Sequence, residues 1–69
     1  MTATIRINGE THPLAGPRVV DLLQALGIDP ARRGVAVAIN GTVAPRSVWT
    51  DALLRGGEAV EIVRPLQGG

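Results

Sequence analysis

The groups best suited to chemistry in this chain of 69 residues stand at its very end, Arg64-Pro65-Leu66-Gln67-Gly68-Gly69. Two terminal glycines carry no Cβ, so they can thread a narrow channel and lie against another backbone. They would deliver the α-carboxylate of Gly69 into the active site of a second protein, where the carboxylate itself is the reactant. Oxygen leaves a carboxylate poorly, so the carbonyl must first be activated, most simply as an acyl-adenylate made with ATP. A sulfur nucleophile can then displace AMP and give a thiocarboxylate. A carrier of this kind needs no catalytic side chain.

Other chemistries find little support in the residue types. A nucleophile–base–acid triad needs an imidazole with partners, and the single histidine, His12, falls in a hairpin strand as an edge residue. Cysteine is absent, which excludes a disulfide scaffold, a thiolate metal site and a thiol nucleophile. The carboxylates Glu10, Asp21, Asp29, Asp51, Glu58 and Glu61 are scattered as solvated charges normally are, with no spacing that suits a metal. No glycine run has the spacing of a dinucleotide fingerprint or a phosphate loop. All seven basic residues are dispersed arginines and Trp49 is the one aromatic, so nucleic acid is not an expected partner. Arg32-Arg33 reads as an exposed loop. No long apolar run suggests a membrane span and no charged-then-apolar leader suggests export, which makes the cytoplasm the expected location.

The elements that must carry the terminus follow from periodicity. At this length one domain with one small core is expected, too small to enclose an active site. Hydrophobic residues are 45% of the sequence and the net charge is +1, a globular composition whose core is built from Val, Ile, Leu and Ala. Ile5 and Ile7 alternate with Thr4 and Arg6, predicting a half-buried strand, and Asn8-Gly9 predicts a hairpin turn. The returning strand, about Glu10 to Leu14, should lie at the sheet edge because Pro13 cannot donate to a ladder. A strict two-residue turn would set Glu10 and His12 opposite Ile7 and Ile5 on the apolar face, so a longer loop or a bulge is expected.

Val19, Leu22, Leu23 and Leu26 lie at the spacing of an amphipathic helix, with Gly27 placed to end it. Its start is the weaker end, since Arg18 stands where Ser or Thr would cap better. Ile28 to Gly34 reads as a loop. Val35 to Asn40 is apolar on both faces, as in a central strand. Asn40-Gly41 turns the chain, Thr42 and Val43 pair briefly, Pro45 stops regular structure, and Ser47 caps a helical turn bearing Val48 and Trp49. After Gly56-Gly57, Glu58 to Arg64 forms a last strand with Val60 and Ile62 inward. The fold class is α+β: a mixed sheet of four to five strands with one helix packed across one face.

This order resembles the ubiquitin-like β-grasp sulfur carriers of thiamine biosynthesis, the ThiS family, over essentially the whole chain. The most specific elements are Ala38-Ile39-Asn40, Val43, Pro45-Arg46, Trp49, Gly57-Glu58, Val60-Glu61-Ile62-Val63 and Gln67-Gly68-Gly69. The resemblance implies a β-grasp domain over residues 1–64 and a flexible tail over 65–69. It also implies that the protein is a co-substrate and not an enzyme, with no cofactor bound. The Gly69 carboxylate would be adenylated by a ThiF-like adenylyltransferase using ATP with magnesium, then converted to a thiocarboxylate with sulfur derived from cysteine. A ThiG-like thiazole synthase would take the sulfur. Pro65, Leu66, Gln67, Gly68 and Gly69 would enter the partners' active sites. The small subunit of molybdopterin synthase and ubiquitin-like modifiers use the same terminal chemistry. The Asn40 to Trp49 segment favours the thiamine family. A partner-docking surface is expected on the sheet face away from the helix, at Ala36, Ala38 and Val63, bordered by Arg6 and Glu61.

Overall fold

In the computed structural model, residues 3–64 are described. They form β1 (Thr4–Ile7), β2 (Glu10–Pro13), α1 (Val19–Ala25), β3 (Ala36–Ile39), β4 (Thr42–Ala44), a 3-10 turn (Arg46–Val48) and β5 (Ala59–Val63). The sheet runs β2-β1-β5-β3-β4. All pairings are antiparallel except β1 with β5, which is parallel. One helix packed on a five-stranded mixed sheet in this order is the ubiquitin-like β-grasp arrangement. The final strand occupies the middle of the sheet, so the segment leading to the terminus leaves from the best-held part of the molecule.

Alternation sets one face inward. Ile5, Ile7, Val37, Val60 and Ile62 point to α1 and meet Val19, Leu22 and Leu23, with Ile28, Val35, Trp49 and Leu54 closing the core. The helix ends as Gly27 allows. At φ +76 it adopts the left-handed conformation, the Gly27 N–H bonds the Gln24 carbonyl, and the Ile28 N–H reaches back to Leu23 at 2.9 Å.

Three expectations change. The first hairpin has no bulge: Ile7 pairs with Glu10 and Ile5 with His12. Asn8 (φ 50) and Gly9 (φ 86) both take positive φ, which makes a strict two-residue turn and fixes that register. The cost is small because β2 lies at the edge, where Glu10 stays exposed and His12 half-exposed. β3 is an interior strand as expected, and its second face is the open one: Ala36 is exposed and Ala38 half-buried.

The helix start is also better held than Arg18 suggests. The Trp49 carbonyl accepts from the Val20 N–H and the Ala52 carbonyl from the Val19 N–H, each at 3.1 Å. The Asp21 carboxylate accepts from the Arg18 N–H at 3.1 Å. Backbone from a distant turn thus satisfies donors that a capping hydroxyl would otherwise serve. Gly16 makes room for this, since a Cβ there would stand 2.7 Å from that of Asp21. Finally, Ser47 lies inside the 3-10 turn and not at its start. Pro45 holds the cap position, its extended φ of −61 being the value its ring imposes.

Arg46 and Trp49 tie the loop before β3 to the turn after β4. The Arg46 guanidinium donates to the Pro30 carbonyl and to that of Arg32 at 2.7 Å. It lies 4.5 Å over the Trp49 ring, whose indole N–H donates to the Ala44 carbonyl at 2.8 Å. Charged donors to carbonyls and cation–π contacts each stabilise such a crossing modestly.

Candidate functional site

The chemistry expected of this chain lies at Gly69, and Pro65, Leu66, Gln67, Gly68 and Gly69 fall outside the described residues. The structure supplies the platform from which they leave. That platform is the end of β5, held on the β3 side by the pairing of Val63 with Ala36. On the β1 side the strand partner is missing, because β1 ends at Ile7 and the chain turns away. The Asn8 side chain fills the gap: its Oδ1 accepts from the Ile62 N–H at 2.8 Å and its Nδ2 donates to the Ile62 carbonyl at 3.1 Å.

The head of β5 is held by the second Asn-Gly turn. The Asn40 Oδ1 accepts from the Ala59 N–H at 3.0 Å and its Nδ2 donates to the Glu58 carboxylate at 3.1 Å. Glu58 also accepts from the Arg55 N–H across the Gly56-Gly57 turn. The strand is therefore fixed at both ends by side-chain amides.

Ala36, Ala38 and Val63 come together on the sheet face opposite α1. Ala36 pairs with Val63, while Ala38 lies between Glu61 on β5 and Val43 on β4. Val43 is 71% exposed and Val63 64%, so two branched apolar side chains stand in water here. Arg6, paired with Ala59, and Glu61 supply charges within the same face. Val43 was missing from the expected patch although its signal was present. A two-residue turn at Asn40-Gly41 pairs Ile39 with Thr42, and therefore Ala38 with Val43.

His12 sits away from this face. It lines an open groove of about 200 Å³ between the sheet and the end of α1, with Glu10 and Arg64 at the rim and Ile7 and Leu26 below. Among the described residues no group of His, Asp or Glu is placed to hold a metal ion. No buried side-chain polar atom among them lacks a hydrogen-bond partner. No described helix is long and apolar enough to cross a membrane.

Comparison with known proteins agrees with this geometry. Residues 5–69 match the ThiS family model. The chain is 36% identical over 63 residues to the sulfur carrier protein ThiS of Thermus thermophilus, covering 91% of this chain and 95% of that one. The crystal structure of the thiamine biosynthesis protein ThiS from Geobacter metallireducens superposes with a TM-score of 0.76 at 30% identity. That match covers 96% of this chain and 99% of the other. The solution NMR structure of a thiamine biosynthesis protein from the same organism gives a TM-score of 0.75 at 30% identity, covering 96% and 87%. Fold, core and the sequence through the terminal glycine agree in placing this chain in the ThiS family.

Proposed function

We propose that this protein is the sulfur carrier of a thiamine pathway and that its working group is the α-carboxylate of Gly69. The observation that carries the reading is the family match, which continues beyond the described residues through Gly69. In the first step a carboxylate oxygen attacks the α-phosphorus of ATP in an adenylyltransferase, which would hold the ATP and magnesium. Pyrophosphate leaves and an acyl-adenylate forms. Sulfur originating from cysteine and delivered at the sulfide oxidation level then attacks the acyl carbon; the carbon–sulfur bond forms as the bond to AMP breaks, leaving a thiocarboxylate. A thiazole synthase takes the sulfur, an oxygen from the acceptor or from water takes its place on the acyl carbon, and the carrier returns to the carboxylate.

Each part of the chain has a place in this scheme. Gly68 and Gly69 suit a narrow channel because they have no side chains to exclude. Pro65, Leu66 and Gln67 would enter the partner's active site with them. The open face at Ala36, Ala38, Val43 and Val63 gives the adenylyltransferase an apolar surface to grip, with Arg6 and Glu61 setting orientation. The carrier is thus a protein co-substrate acting in the cytoplasm, where ATP is at hand.

Deletion of Gly68-Gly69 tests the reading. Sulfur transfer to thiazole synthase in a reconstituted reaction should be abolished while thermal unfolding stays unchanged. Undiminished thiazole formation by the truncated protein would refute it.

A further inference from the structure

The two Asn-Gly turns have almost the same backbone, with φ of 50 and 86 at the first and 50 and 83 at the second. Such turns are served equally well by Asp-Gly or Gly-Gly, so turn geometry does not by itself call for asparagine at position 8. The surroundings do. β1 pairs with β5 only through Arg6 with Ala59 and Ile7 with Val60. β5 then runs on to Val63, leaving the N–H and C=O of Ile62 facing a place where β1 no longer exists. A group that both donates and accepts, at peptide spacing, is needed there. The Asn8 carboxamide supplies both contacts to a residue 54 positions away. The Asn40 side chain differs, since it makes only one bond to β5 backbone and spends its amide N–H on the Glu58 carboxylate.

We propose that Asn8 is a positioning residue for the terminal tail: its carboxamide pins β5 at Ile62 and so fixes where the chain leaves the sheet. The proposal rests on the carrier reading above. Ile62 is followed only by Val63 and Arg64 before the residues that would enter the partner. Without the carboxamide, β5 is held there from one side only. Its last residues, Val63 and Arg64, are then less firmly held. Ordering them when the partner engages the chain weakens productive docking. The chemical step should not change, because Asn8 stays outside the partner's active site. The signature is a higher carrier concentration for half-maximal rate at unchanged saturating rate.

The test uses the full chain with Asn8→Gly, which keeps the positive φ and removes the carboxamide. Asn8→Asp is the second variant; it keeps an acceptor for the Ile62 N–H and loses the donor to the Ile62 carbonyl. Amide exchange measured by NMR should show Ile62 losing protection about tenfold in Asn8→Gly, with Val37 and Val60 unaffected. In ATP–pyrophosphate exchange with the adenylyltransferase, half-saturation should rise about fivefold while the maximal rate stays within about twofold. Asn8→Asp should fall between the two, and decides the matter if Asn8→Gly is poorly folded. Wild-type half-saturation in folded Asn8→Gly, or undiminished Ile62 protection, would overturn the proposal. If the wild-type chain itself supports no exchange, the carrier reading fails, and Ile62 protection still reports separately on whether the clamp exists.

Discussion

The two faces of the sheet are built from the same strands and do opposite things. Toward α1, Ile5, Ile7, Val37, Val60 and Ile62 are buried, and each can be changed only at the expense of packing. Away from α1, Ala36 and Ala38 pair with Val63, Glu61 and Val43, and nothing in the described chain covers them. A strand of β-branched residues would have been equally compatible with the fold there. Alanine next to exposed valine instead leaves a shallow apolar surface, low enough for another protein to approach closely. Stability is concentrated on one face, and the other is left open by the described residues.

Substitutions should separate the faces. The largest loss of stability is expected from Leu23→Ala, which empties part of the fully buried helix–sheet contact. It should cost about 2–5 kcal/mol in denaturant unfolding, with no change in the chemistry of whatever fraction remains folded. Arg46→Ala should cost about 1–3 kcal/mol, because the carbonyls of Pro30 and Arg32 lose a charged donor and Trp49 loses its cation. Amide exchange should localise that loss to residues 30–35. On the open face the pattern should reverse: Ala38→Arg should change stability by no more than about 0.5 kcal/mol, yet slow adenylation markedly in steady-state assays. An Ala38→Arg carrier adenylated at the normal rate would remove recognition from this face. Val43→Ser should act in the same direction but more weakly, since β4 is the edge strand.

What could be read in the sequence divides along the distance of the interactions. Alternation in Ile5-Ile7 and Val60-Ile62, the Val19-Leu22-Leu23 spacing and the Asn-Gly pairs are local signals, and they specify the strands, the helix and the turns. The Gly68-Gly69 terminus is equally local, which is why the candidate chemistry was legible before the fold. Less legible were features supplied from far along the chain. Arg18 looks like a poor helix start until carbonyls of Trp49 and Ala52 are seen to serve the first turn. The first hairpin looks mispaired because alternation alone sets Glu10 and His12 on the apolar face, yet at the edge position that Pro13 already indicates, Glu10 opposite Ile7 stays in water. Asn8 reads as a turn residue, and its partnership with Ile62 follows only once β5 is inserted beside β1. Arg46 carries no periodic signal at all; its place comes from the loop before β3 meeting the turn after β4.

The central claim is that Gly69 carries sulfur, and the intact mass of the protein isolated gently from its own cells tests it most directly. The account predicts a fraction heavier by the replacement of one oxygen with sulfur, localised to Gly69 by fragmentation and enriched when thiamine is withheld. Only the unmodified mass, persisting in thiamine-starved cells, would contradict it.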